Sequence, residues 1–271
     1  MEEPVAERAH RNLCDYTRWT SRLHTGTATL DESGIVAMAG KTDFPTARTA
    51  VRSDRSLPPA HWVDQVDRFF SAHGTMSCVY ARQTVDDDIS ELLVGRGYRD
   101  WATTPEMVCE HELGPRDPGA GVTVRFADSP ADISAYARIA AEAFAHLQVP
   151  EAATLDGVDH PDAFLADDCA VALAEIDGTP VAGAQVVLVD ADRNGDRTAG
   201  YVAWVSCTDA ARGRGLGDTV TRAVTNEAFR RGARFVSLEA SQFGEHTYAR
   251  MGYREIYRYR MLIRVETRST R

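Results

Sequence analysis

Arg212-Gly213-Arg214-Gly215-Leu216-Gly217 stands between an apolar, strand-like run and an amphipathic, helix-like one. Glycines at every second position leave no Cβ in the path, so neighbouring backbone N–H groups can point the same way and cradle an anion. The helix expected to follow adds its positive end, and the two arginines add formal charge. The ligand implied is a phosphate, most naturally the diphosphate of a cofactor. The loop lacks the Gly-Lys-Ser/Thr ending of a Walker motif, and no early βαβ unit surrounds it as a dinucleotide fingerprint requires.

Upstream, Ala199–Ser206 reads as a strand, with Tyr201 and Trp204 alternating with Val202 and Val205. Downstream, Asp218–Arg231 reads as a helix whose apolar stripe is Val220, Ala223, Val224 and Ala228, stopped by Gly232. Further elements extend in both directions. Val122–Ala127 is a strand, Ala131–Leu147 a helix buried along Ile133, Tyr136, Ile139, Ala140 and Ala143, and Pro161–Ala166 a short helix. Ala170–Ile176 and Val181–Val189 form a hairpin across Asp177-Gly178, followed by a polar turn at Asp190–Asp196. Phe235–Leu238, Glu245–Met251 and Glu255–Ile263 complete a strand, helix, strand series. The order predicts an α/β (α+β) mixed sheet, antiparallel early and parallel later.

Residues 114–121, within a run of two prolines and three glycines, read as a linker between domains at 1–113 and 122–271. The two halves echo each other. Gly97-Tyr98-Arg99-Asp100 and Gly252-Tyr253-Arg254-Glu255 each follow a short helix and precede a strand with a methionine, Met107 or Met261. Leu57–His73 is an amphipathic helix and Met76–Ala81 the strand after it, so one fold used twice is expected. The N-terminal half has no counterpart of the glycine loop. Its Gly95-Arg96-Gly97 follows a helix and reads as a C-terminal cap, which predicts one cofactor site per chain.

The 271 residues carry a net charge of −10, against a broad nucleic-acid footprint. Lysine occurs once, at Lys41. No apolar run reaches membrane-span length, and the acidic start Met1-Glu2-Glu3-Pro4 lacks a signal-peptide layout, so a cytoplasmic location without a membrane partner is expected. Cys14, Cys78, Cys109, Cys169 and Cys207 are scattered, with no C-x-x-C pair, and read as buried reduced thiols. Asp86-Asp87-Asp88 reads as a helix start; without a spaced partner ligand it predicts no metal site.

With its strand and helix in place, the glycine loop resembles the Arg/Gln-x-x-Gly-x-Gly/Ala signature of the GNAT superfamily of acyl-CoA-dependent N-acyltransferases. Tyr248-Ala249-Arg250-Met251-Gly252-Tyr253 resembles that superfamily's second signature, a helical Tyr before a Gly-aromatic pair. The likeness covers 122–264 well and the N-terminal half weakly, implying a tandem GNAT fold with a degenerate first domain. It implies that Arg212, Gly213, Arg214, Gly215, Leu216, Gly217 and Asp218 hold the pyrophosphate of acetyl-CoA. By the same likeness the edge at Val205, Ser206 and Cys207 bonds the pantetheine arm, Ser241 touches the cofactor, and Tyr248 touches it and serves as general acid.

The implied reaction moves an acetyl group to a primary amine of a small molecule, in a chain that could form a homodimer. The attacking amine must lose a proton, and Glu239, His246 and Glu142 are candidate acceptors. Many members of the superfamily carry an acid on the strand before the loop, but Ala199–Ser206 carries none. That departure keeps open a coenzyme-A-binding module without turnover; an acyltransferase with another donor is a further alternative.

Overall fold

The computed structural model describes residues 4–23, 26–74, 76–189 and 198–265; the polar turn expected at Asp190–Asp196 lies outside the described residues. The chain forms two compact units, one holding Pro4–Glu106 with the segment from Ile256 onward, the other Met107–Glu255. This division differs from the boundaries expected at 113 and 122. The chain changes unit within two strands, and its last strand groups with the N-terminal unit.

The N-terminal unit opens with α1 (Val5–Thr20), an element beyond the sequence-based expectations, which buries Ala9, Leu13 and Cys14. Three further elements beyond those expectations follow, β1 (Ala28–Glu32), β2 (Ile35–Ala39) and β3 (Arg48–Arg52). Ser33 and Gly34 join the first two, both at positive φ (53° and 73°), the two-residue turn that matches strand twist. The expected amphipathic helix is α2 (Pro59–His73), burying Trp62, Val66 and Phe70. It returns the chain to β4 (Met76–Arg82), parallel to β3. Then come α3 (Asp87–Gly95), opened by Asp86 as expected, and β5 (Arg99–Cys109).

The second unit contains β6 (Val122–Phe126), α4 (Pro130–Ala145), α5 (Glu151–Val158) and α6 (Pro161–Phe164). They precede β7 (Cys169–Ile176), β8 (Thr179–Val189), β9 (Ala199–Cys207) and α7 (Leu216–Arg230). The series closes with β10 (Phe235–Glu239), α8 (Glu245–Met251) and β11 (Arg254–Val265). Strands β6 to β9 pair antiparallel in sequence order and β10 joins β9 in parallel, the predicted pattern. Helices cover both faces of this sheet. On one, Gly183 leaves room for the α4 ring of Tyr136; on the other, Gly200 leaves room for Ala228 of α7.

The internal echo extends to conformation. Gly97 and Gly252 both adopt positive φ (87° and 117°), and each turns a 3 % exposed tyrosine into its core. The Tyr98 hydroxyl donates to Asp67 of α2 at 2.9 Å, and the Tyr253 hydroxyl pairs with Thr225 of α7 at 2.6 Å. Each unit thus ties the strand after its last helix to its crossover helix in the same way. Strand β11, however, completes the other unit's sheet, pairing antiparallel with β4 from Tyr259–Arg82 to Val265–Met76. Tyr259 and Leu262 are fully buried there. A chain stopped at Glu255 should lose this strand and at least about 3 kcal/mol of burial from those two side chains. Hydrogen exchange should show β4 amides deprotected while those of β7 and β8 stay slow; unchanged β4 protection would contradict the assignment.

Candidate active site

Strands β8 and β9 stay in register from Val189–Ala199 to Gln185–Ala203, then resume at Gly183–Ser206 and Ala182–Cys207. Between these points β9 has one residue more than β8, a β-bulge. Trp204 carries it at φ 53°, so it is not the ordinary alternating strand residue the sequence suggested. Because side chains alternate with period two, one extra residue exchanges the faces of everything after it. Val205 and Cys207 therefore turn onto the α7 face, where Val205 Cγ1 lies 3.8 Å from a Cβ position at Gly217. The Tyr136 hydroxyl donates to the Trp204 carbonyl at 3.0 Å. The Trp204 indole packs against Phe144 (4.8 Å between centroids) and over Gly157, where a Cβ would approach it to 2.8 Å.

The parallel pairing of β9 with β10 spans three residues, Ala199–Tyr201 against Phe235–Ser237. Beyond it the strands have no mutual pairing. The Thr208 N–H donates to the Val181 carbonyl at 2.9 Å, and alternation then directs the Ser206 backbone to Gly183. The backbone groups of Val205 and Cys207 face the unpaired side. Of the three residues expected to form this edge, Ser206 is therefore the exception; its main chain is committed to β8.

The glycine loop follows. Gly213 and Gly215 adopt positive φ (76° and 78°), and Gly215 is the N-cap of α7 without any side-chain cap. The Gly215 carbonyl accepts the Thr219 N–H at 3.1 Å. Among the described residues, the backbone N–H groups of Gly213, Arg214, Gly215, Leu216, Gly217 and Asp218 donate to no protein acceptor. Arg214 is exposed and forms no ion pair among the described residues. Arg212 instead bonds Asp209 (3.1 Å) and the Ala143 carbonyl (3.5 Å), tying the loop's entrance to α4. The Asp218 carboxylate is held by Arg222 (2.5 Å) and Arg116 (3.1 Å), so this residue offers an anion its N–H alone.

Glu239 ends β10, two residues past Ser237, the last residue paired with β9. Its Oε1 is buried without a hydrogen-bond partner, and burial pushes its carboxyl up to about 8. Tyr248 of α8 is 9 % exposed, packed on Tyr253 at 6.0 Å and over Gly244; burial pushes its hydroxyl above the usual tyrosine range. His246 is exposed and stands about 200° around the helix from Tyr248, so the structure does not bring these two together. Ser241 is half-buried, its carbonyl accepting the N–H groups of Gly244 and Glu245. Glu142 accepts the Asp209 N–H at 2.7 Å, which makes it an anchor for the turn before the loop.

In the N-terminal unit the segment between β3 and α2 holds no glycine, and the Asp54 carboxylate accepts the Ser56 N–H at 2.8 Å. A protein carboxylate thus occupies the position that an anion would need. All five cysteines are unpaired, four buried and Cys207 half-buried. Among the described residues no His, Cys, Asp and Glu group is arranged to hold a metal, and no helix is long and apolar enough to cross a membrane.

Residues 135–253 match the model of the acetyltransferase (GNAT) family. The C-terminal half is a GNAT acetyltransferase domain. Solved structures extend the likeness in fold to nearly the whole chain. A GCN5-related N-acetyltransferase from Kribbella flavida is 21 % identical at TM-score 0.71, covering 96 % of this chain and 97 % of that one. One from Sphaerobacter thermophilus is 17 % identical at TM-score 0.60, covering 87 % and 82 %. A tandem GNAT protein from the clavulanic acid biosynthesis pathway is 13 % identical at TM-score 0.58, covering 90 % and 84 %. A search of curated proteins finds no match. The GNAT family implies an acyl-CoA donor, and the residues present fit one: unpartnered amides for the phosphates, an open strand edge for the amide-bearing arm.

Glu239 carries a pH signature. Its carboxyl titrates near 8 when folded, against an ordinary value near 4.5, so the folded chain retains a proton that the unfolded chain loses. Stability should therefore fall as pH rises from about 4.5 to about 8. Glu239→Gln should remove that loss, melting above the parent at pH 8.5 and close to it at pH 4.5. An offset equal at both pH values would contradict a buried, proton-retaining carboxyl.

Proposed function

We propose that the chain transfers an acetyl group from acetyl-CoA to a primary amine of a small molecule, by direct attack and without a covalent enzyme intermediate. The observation that carries this reading is the run of unpartnered N–H groups from Gly213 to Asp218, continued by the outward-facing edge at Val205 and Cys207. The donor supplies the acyl group already activated as a thioester. The protein's task is to place it, accept a proton and steady the leaving group.

Each task has a candidate. The amides of Gly213–Asp218 and the charge of Arg214 bind phosphate, and the Val205 and Cys207 edge aligns the arm as an added strand. An outward N–H on that edge is a donor to the oxygen on which negative charge develops. Glu239 is the proton acceptor: a carboxylate titrating near 8 is a far better base than one titrating near 4.5, and it ionises within the working range. Tyr248 is the acid. Burial keeps its proton in place, and a hydroxyl more weakly acidic than a thiol stabilises the departing sulfur chiefly by hydrogen bonding. Glu239 also weighs against a module without turnover, because it supplies, one strand away, the acid missing from β9.

Two substitutions separate binding from chemistry. At Gly215 a side chain would meet both positive φ and the Arg116 guanidinium, so Gly215→Val should weaken coenzyme A binding at least about tenfold by calorimetry. Unchanged affinity would remove the loop from the donor site. Tyr248→Phe should cut kcat about a hundredfold at nearly constant coenzyme A affinity. Full turnover in that variant would remove the tyrosine from the mechanism.

A further inference from the structure

The segment expected to be a slack linker is docked along one side of α7. Leu113 exchanges two hydrogen bonds with the Asn226 amide, at 2.8 and 3.0 Å. The Gly114 carbonyl accepts from Arg222 Nη1 at 3.0 Å. Arg116 Nη1 donates to Asp218 Oδ2 at 3.1 Å. Asn226, Arg222 and Asp218 are spaced four apart and so share one helix face. As the chain advances from Leu113 to Arg116 it descends that face from the body of α7 to its N-terminus. The strap delivers the Arg116 guanidinium against Gly215, directly over the position of the absent Cβ.

Asp218 attracts Arg116 to this place, but the helix dipole does not. The N-terminal end of a helix is positive and repels a cation. Arg212, Arg214, Arg222 and Arg116 all crowd this end, against the carboxylates of Asp209, Asp218 and Glu142. Arg116 remains 43 % exposed and Asp218 11 % exposed, so the ion pair is open to an incoming group on one side. Positive charge in excess of the local carboxylates, next to amides with no acceptor, is an arrangement completed by an anion.

We propose that Arg116 is a donor-binding residue: its guanidinium contacts a phosphate of the acyl-CoA, and the strap Leu113–Arg116 exists to position it. The proposal rests on the reading of Gly213–Asp218 as the phosphate loop. A planar fork of N–H donors suits phosphate oxygens, and Asp218 holds that fork in place until phosphate takes over part of its bonding. The chain preceding the GNAT domain thereby contributes to the domain's donor site, a contribution invisible in the glycine motif.

The test is calorimetric, on the full chain, with coenzyme A, 3′-dephospho-coenzyme A and pantetheine as ligands. Arg116→Gln should weaken coenzyme A binding about tenfold and leave pantetheine binding unchanged, with the gap to the parent narrowing as salt is raised. Arg116→Lys should recover part of the loss. If the penalty vanishes with the dephospho ligand, the contact is to the 3′-phosphate; if it persists, it is to the diphosphate, and either result supports the proposal. Equal loss for pantetheine and coenzyme A, or no loss for either, would overturn it and reduce the strap to a tether. Failure of the parent chain to bind coenzyme A at all would instead defeat the underlying loop assignment. Arg116 is partly exposed, so an unchanged melting temperature in Arg116→Gln confirms that affinity alone is being read.

Discussion

Backbone N–H groups that the protein itself does not satisfy are the constraint around which the C-terminal unit is organised. Folding normally pairs such groups or gives them to water, and a helix start usually receives a capping side chain. Here the cap position is glycine, the residues before it are glycine and arginine, and among the described residues nothing accepts from the six amides between Gly213 and Asp218. The comparison within the molecule is instructive. At the matching place in the N-terminal unit, Asp54 accepts from Ser56 and the turn is closed on itself. The turn is open in one half and closed in the other.

The open loop depends on the strand that leads into it. Without the bulge at Trp204, Val205 would face α4 and could not pack beside Gly217, and the parity of the outward-facing amides would be reversed. The bulge is supported from α4 by Tyr136, whose hydroxyl binds the Trp204 carbonyl and whose ring fits only because Gly183 has no side chain. Glu239, half-buried, stands where β10 has parted from β9, with its Oε1 buried and unpaired. Loop, edge and acid are consequences of one separation between two parallel strands.

Much of this was legible in the sequence because it is local. The loop glycines, the stripe of α7, the Asp177-Gly178 turn and the Gly-Tyr echo are each decided within a few residues, and the structure reproduces them. What escaped depends on distant partners. The bulge leaves no trace in Ala199–Ser206, since it is defined only by the register against β8. Strands β2 and β3 escape a sequence reading because they are buried at every position and lack alternation. Glu142 looked as suitable a base as Glu239; only the Asp209 N–H bound to one and the solvent-excluded oxygen of the other tell them apart. Arg116 lay in a Gly/Pro-rich run that reads as a spacer until its contacts with α7 are seen. The change of unit at β11 is likewise unreadable, because the strand's own pattern says nothing about which edge it joins.

The most direct measurement is an amide-resolved NMR titration of the labelled chain with coenzyme A. The account predicts saturable shifts at Gly213 through Asp218 and at Val205 and Cys207, with the Ser206 amide, committed to β8, changing far less. A titration that moved other regions while leaving the Gly213–Asp218 amides at their starting positions would contradict it.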